Sequence, residues 1–337
     1  MRKPPKFISV ISTYRCNYKC HMCNIWQYPT KTAEEITASH LAKLPRTNAV
    51  NLTGGEPFMR DDLSDILTVL REKADRLVIS TNGYLTQRIV KIAKQHPWIG
   101  VRISVEGLPA VNDQLRGVKD GFEHAIRTLT ELSHIGLKDI GFGITLSDRN
   151  AESLIPLYHL SKMMKLEFAT AAVHNSFYFH KLDNKIQRPD ALIGALNELI
   201  HELLHSSRPK DWFRAYFNHG LIEYISSKPR LLACSMGEDA CFIDPTGEVL
   251  PCNGMQTPIS FGNLTRQSWD EIWNGPHAEA VRGEARSCGK NCWMIGNASE
   301  PIKRNKFGVI RWIAEQRWRE HSAMPRPEHA PFNILKG

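Results

Sequence analysis

Short apolar runs recur along the first half of the chain, separated by stretches whose apolar residues fall three and four positions apart. The runs at residues 7–12, 49–53, 77–81, 100–105, 139–145 and 168–173 predict strands, and residues 33–44, 63–73, 85–95, 122–135 and 151–164 predict helices between them. Strand and helix in strict alternation predict consecutive βα units around a parallel sheet. Two further helices are expected at residues 189–205 and 211–226, and the texture changes at Leu231. Beyond it, Cys241-Phe-Ile-Asp-Pro-Thr-Gly-Glu-Val-Leu-Pro-Cys252 reads as a hairpin around an Asp-Pro-Thr-Gly turn. Residues 306–321 form a basic, Trp-bearing amphipathic helix candidate. It suits an anionic membrane surface, and packing on its own barrel or on a second subunit is the expectation preferred. Four segments are thus expected: 1–180, 181–230, 231–296 and 297–337.

The composition narrows this picture. A chain of 337 residues that is 42% hydrophobic can bury a large core, and no apolar run approaches the roughly 18 residues of a membrane span. The start, Met1-Arg2-Lys3-Pro4-Pro5-Lys6, lacks the apolar core of a signal peptide, so a cytoplasmic location is expected. There, eight cysteines in clusters suggest metal ligands before disulfides. A formal charge of +8, spread without a dense basic block, favours anionic partners; phosphorylated or nucleotide-linked small substrates fit it as well as nucleic acid does, and nucleic acid is not the partner expected.

Chemistry concentrates at Cys16-Asn17-Tyr18-Lys19-Cys20-His21-Met22-Cys23, just after the first strand. A zinc ion would want a fourth ligand, and His21, set between two of the cysteines, would have to double back to supply it. Three thiolates can instead satisfy three irons of a four-iron cluster and leave the fourth iron open. The C-x3-C-x2-C run, with Met22 before its last cysteine, resembles the cluster loop of the radical S-adenosylmethionine (SAM) superfamily. That resemblance implies a partial (β/α)6 TIM-like barrel of the α/β class, SAM on the open iron, and reductive cleavage to a 5′-deoxyadenosyl radical that takes hydrogen from substrate. It also implies a reducing partner of the flavodoxin or ferredoxin type.

Other motifs fall at the ends of the predicted strands, where such barrels keep their chemistry. Thr53-Gly54-Gly55-Glu56-Pro57 matches the family's GGE-P motif, which implies that Gly54, Gly55 and Glu56 hold the SAM amino group. Ser80 and Asn82, then Ser104 and Glu106, place hydrogen-bonding groups within reach of a ribose or carboxylate, with Glu106 where relatives often carry aspartate. Arg116 stands where related enzymes place an arginine near the SAM carboxylate, although a surface ion pair also explains it. Gly141 and Gly143 are expected to admit a flat ring, with Ile144 lining adenine.

Five cysteines lie within the 59 residues from Cys234 to Cys292. This region, with Gly262-Asn263-Leu264 and the Trp269–Trp273 run, resembles the SPASM and twitch extensions of radical SAM enzymes. The resemblance assigns Cys234, Cys252, Cys288 and Cys292 to one auxiliary 4Fe-4S cluster. Cys241 is left over as a buried apolar residue, a hydrogen donor to a substrate radical, or a ligand in place of Cys234. Relatives act on peptides and on small molecules. Only six residues precede the first predicted strand, where peptide-modifying members often carry a leader-binding domain, so a small-molecule substrate is expected, phosphorylated, sugar or nucleoside in type. His174, Asn175, Tyr178 and His180 are candidate contacts. The alternatives are a peptide maturase and a non-catalytic iron–sulfur redox protein.

Overall fold

The computed structural model describes residues 2–255 and 259–323. Six parallel strands, β1 (Phe7–Ile11), β2 (Thr47–Thr53), β3 (Ala74–Thr81), β4 (Gly100–Ser104), β5 (Asp139–Leu146) and β6 (Glu167–Ala172), lie side by side in chain order. Helices α1 (Ala38–Leu41), α2 (Leu63–Lys73), α3 (Thr86–Gln95), α4 (Pro109–Arg116), α5 (Gly121–His134) and α6 (Leu154–Met163) connect them. The expected 33–44 helix shrinks to four residues because Glu35 is drawn into an ion network. The unexpected α4 opens on Pro109 and ends at Gly117 in the left-handed region, the signature of a helix start and stop.

Strand alternation divides the sheet into two chemically different faces. Ile8, Val10, Val50, Leu52, Leu77, Ile79, Val101, Ile103, Phe142 and Leu146 belong to one buried apolar cluster beneath the helices. Thr53, Ser80, Ser104, Thr145 and Ala171 line a cavity on the other face. Small or polar inner positions keep the barrel from filling with side chains, so the half-open sheet encloses room for ligands.

Helices α7 (Pro189–His205) and α8 (Pro209–Ile225) pack on each other, and α8 reaches β6, where Thr170 hydrogen-bonds Asn218 at 2.7 Å. The chain then adds β7 (Ala240–Ile243), β8 (Glu248–Leu250) and β9 (Gly262–Asn263) to the opposite edge, giving one nine-stranded sheet. Strand β7 runs parallel to β1, with Cys241 opposite Ile8. The cysteine-rich segment therefore continues the barrel sheet. In the β7–β8 turn, Oδ1 of Asp244 accepts from the backbone N–H of Thr246 and of Glu248, each at 2.9 Å.

Helices α9 (Trp269–Asn274), α10 (Pro276–Arg286), α11 (Ile295–Arg304) and α12 (Lys306–Ala323) complete the described chain. The last is the expected basic helix. It lies on α7 and α8, with Trp312 stacked on His219 at 5.0 Å and Arg317 over the Trp212 ring at 4.4 Å, while Phe307, Ile310 and Trp318 are exposed. Residues 324–337 of the expected C-terminal segment lie outside the described residues. Among the described residues no helix is long and apolar enough to cross a membrane.

Candidate functional site

The loop after β1 is clamped to the end of β2 by backbone bonds. Ser12 N donates to Thr53 O at 2.8 Å, Gly55 N to Thr13 O at 2.7 Å, and Glu56 N to Arg15 O at 2.8 Å. Such contact requires glycine: Gly54 sits at φ 147°, and a Cβ on Gly55 would overlap the Arg15 carbonyl. Beneath the loop, buried Glu35 accepts hydrogen bonds from Thr13, Thr30 and Arg15, and also meets Arg60 at 3.1 Å. Burial pushes the Glu35 carboxyl up, and these donors more than offset it, holding the pKa below the ordinary value. Arg60 also donates to Ser12 O at 2.6 Å and Ile36 O at 2.8 Å, so the network fixes both flanks of the loop.

Cys16, Cys20 and Cys23 line a cavity of about 240 Å³ together with Met22, Gly54 and Gly55. Burial pushes the Cys16 thiol up to about 12 and Cys23 to about 11, and raises Cys20 as well, so the thiolates call for compensating positive charge. Ser80, Asn82, Ser104, Glu106 and Arg116 line the same cavity. Ser80 donates to Asn51 at 3.0 Å, and the Asn82 side chain reaches Asn17 inside the cysteine loop at 2.7 Å. Arg116 pairs with Glu106 at 3.2 Å and lies 5.1 Å from the Tyr18 ring centroid, so it is no surface ion pair. Its Nε is buried with no hydrogen-bond partner among the described residues. Glu106 accepts in addition from Thr145 N at 2.6 Å, tying β4, α4 and β5 together.

Four expected residues, Glu56, Gly141, Ile144 and Cys241, lie outside the cavity wall. The Glu56 carboxylate does not line the cavity: it accepts from Phe58 N at 3.1 Å, Thr81 Oγ1 at 2.8 Å and Asn82 N at 2.8 Å, joining the ends of β2 and β3. Ile144 points into the apolar core, and its neighbour Thr145 lines the cavity, as alternation along β5 dictates. Gly141 has no ring to admit, because a Cβ there would overlap the Glu167 carbonyl of β6. Cys241 is fully buried in the core beside Ile8 and away from the cavity, and burial raises its pKa. It stands where a buried apolar side chain would, and not where a hydrogen donor to a substrate would.

The segment after β6 folds back over the cysteine loop. Asn184 donates to Met22 O and His174 O, both at 3.1 Å, and Asn24 N donates to Phe179 O at 2.8 Å. Of the four candidate contacts only His174 lines the cavity. Its Nε2 is buried with no hydrogen-bond partner among the described residues, and burial lowers its pKa while the Ala172 backbone engages the ring. Asn175 is spent on Asn184, Tyr178 packs on Ile11 and Leu250, and His180 stacks on Tyr28 at 4.2 Å. Trp26, Phe179 and Asn184 also line the cavity, and sequence reasoning missed them.

Cys234, Cys252, Cys288 and Cys292 form a second group. Burial pushes the Cys252 thiol up to about 12, with Cys234, Cys292 and Cys288 adding to the rise, so the four share one neighbourhood. A Cβ on Gly254 would lie 3.6 Å from Cys252 Sγ and 3.9 Å from Cys292 Sγ. Cys241 belongs instead to the apolar core, opposite Ile8. Among the described residues no three Cys, His, Asp or Glu side chains stand close enough to hold one ion, whereas the cysteines of a cubane bind separate irons and stand farther apart.

Family comparison matches the radical SAM superfamily over residues 10–160 and SPASM, an iron–sulfur cluster-binding domain, over residues 234–293. The chain belongs to the radical SAM superfamily. It is a radical SAM enzyme with a C-terminal SPASM domain, which implies a SAM-binding 4Fe-4S cluster and auxiliary iron–sulfur chemistry. Fe-coproporphyrin III synthase of Methanosarcina barkeri is 32% identical over 163 residues, 46% of this chain and 40% of that protein. AdoMet-dependent heme synthase of the same organism is 27% identical over 311 residues, 84% of this chain and 85% of that protein. The structure of Streptococcus suis SuiB bound to precursor peptide SuiA shares the fold at TM-score 0.63 and 18% identity, covering 85% of this chain and 67% of that one. The residues present fit these groups: three half-buried thiols beside an arginine with an unpartnered N–H in one place, and four convergent thiols in the other.

Proposed function

We propose that this radical SAM enzyme oxidises a small anionic molecule by two electrons, removing a hydrogen atom, a proton and an electron. One juxtaposition carries the reading: the three loop cysteines and the unpartnered Nε2 of His174 line the same cavity. Cys16, Cys20 and Cys23 would ligate the SAM-binding cluster, and Cys234, Cys252, Cys288 and Cys292 the auxiliary one. When bound, the first cluster with SAM supplies the hydrogen-atom acceptor, a 5′-deoxyadenosyl radical, and the auxiliary cluster supplies an acceptor for one electron. The proton is left to the protein. His174 is suited to take it, since burial keeps the imidazole neutral and leaves Nε2 free to accept. Arg116, its guanidinium set by Glu106 and Tyr18, is placed to hold the carboxylate of SAM. The backbone of Gly54 and Gly55 borders the same space.

For the substrate, the heme synthase match over most of both chains supports a small molecule, and the +8 charge suits carboxylates or phosphates. The fold shared with SuiB, seen with its precursor peptide, supports a peptide as the second reading. Anaerobic holoenzyme with SAM and a flavodoxin-type reductant can be offered Fe-coproporphyrin III, a sugar nucleotide or a short peptide. An anionic small molecule is expected to raise 5′-deoxyadenosine formation, and stimulation by the peptide alone overturns the small-molecule reading. With the responding substrate, His174→Gln is expected to lower product formation by about 10²- to 10⁴-fold while SAM cleavage continues. The acid limb of the wild-type pH profile, set by a base whose pKa lies below the usual imidazole value, should vanish in this variant. An unchanged product rate removes His174 from the reaction.

A further inference from the structure

Arg230 lies four positions before Cys234, on the loop that follows α8. Its guanidinium is tied on two corners: Nε donates to Leu232 O at 3.1 Å, and Nη2 faces Asn297 O at 3.4 Å and Asn297 Oδ1 at 3.5 Å. The group lies 5.5 Å from the ring centroid of Trp293, the residue after Cys292. Asn291 donates to Tyr224 O at 3.2 Å and Lys228 O at 3.0 Å, pinning the Cys288–Cys292 segment to the end of α8. The remaining corner, Nη1, is buried and has no partner among the described residues. No carboxylate pairs with Arg230 there either, and a guanidinium cannot shed its charge.

We propose that Arg230 is a positioning residue for the auxiliary cluster, donating from Nη1 to its sulfurs and raising its reduction potential so that it serves as the electron acceptor. Hydrogen bonds to cluster sulfurs and nearby positive charge both favour the reduced, more negative form. Lys290 adds a second cation between Cys288 and Cys292, with its Nζ tethered to Gly254 O at 2.6 Å. Four cysteine ligands leave no iron open to a substrate, which agrees with an electron-accepting role. The inference rests on the ligand assignment proposed above.

The test uses holoenzyme loaded with both clusters and EPR-monitored redox titration, SAM being added to mark the signal of the first cluster. In Arg230→Gln the reduced-to-oxidised ratio of the auxiliary cluster is expected to fall at least tenfold at a given potential, a shift of about 59 mV to the negative for one electron. Arg230→Lys, which keeps the charge, should recover part of the shift. The first cluster should not move in either variant. An unshifted auxiliary midpoint in whichever variant assembles overturns the inference. So does loss of the auxiliary cluster from both, since Arg230 would then hold the segment in place without setting its potential. A Cys252→Ala protein that keeps the auxiliary signal would instead sink the ligand assignment.

Discussion

Cys23→Ala should abolish 5′-deoxyadenosine formation and leave about four of about eight irons bound per chain, whereas Cys252→Ala should lose the other cluster's roughly four irons and keep 5′-deoxyadenosine formation. Both cysteines are partly buried thiols with raised pKa values, yet they belong to different constellations. Cys23 lines the cavity with Cys16, Cys20, Gly54 and Gly55, so its loss strikes the centre that would activate SAM. Cys252 adjoins Gly254, whose N–H reaches its sulfur at 3.2 Å, and the group with Cys292 stands apart from that cavity wall. The Cys252 variant should therefore still make 5′-deoxyadenosine on reduction while failing to complete product. Iron analysis, EPR and chromatography of the nucleoside separate the two. SAM cleavage surviving in Cys23→Ala would contradict the assignment, as would loss of all iron in Cys252→Ala.

The second large effect is expected from one methyl group. In Gly55→Ala the new Cβ would overlap the Arg15 carbonyl, a backbone atom held in place by the Glu56 N–H and by the Glu35 network around it. Backbone cannot swing aside as a side chain tip can, so the loop carrying Cys16 must shift. Displacing ligands by this route typically costs about 10- to 100-fold in metal affinity or activity. The first cluster should be lost or labile while the auxiliary cluster and the circular dichroism spectrum persist. Normal occupancy of both clusters, with normal SAM cleavage, would show that the loop tolerates the shift.

The barrel was legible because its apolar period is simple: Ile8 and Val10, Val50 and Leu52, Leu77 and Ile79 repeat every second residue on the face beneath the helices. The cysteine loop and the glycine turn were legible because each is contiguous. Ile144 was misplaced when its apolar character was weighed above its place in the alternation, which puts Thr145 on the face of Ser104. The carboxylate of Glu56 looked like a ligand contact because nothing local shows that Thr81 and Asn82, on the next strand, consume it. Glu35 escaped notice for the same reason: its partners Thr13, Arg15, Thr30 and Arg60 come from separate segments. Pairing of β7 with β1 joins positions more than 230 residues apart, and no local pattern reports it.

That pairing also bears on how the molecule can be taken apart. Strand β1 has β2 on one side and β7 on the other, so a fragment cut after α8 would bare a row of unpaired backbone groups along Phe7–Val10. Exposed strand edges of this kind recruit other chains. The N-terminal barrel is thus a poor minimal enzyme: the cysteine-rich segment doubles as its guard against self-association, whatever electrons it handles.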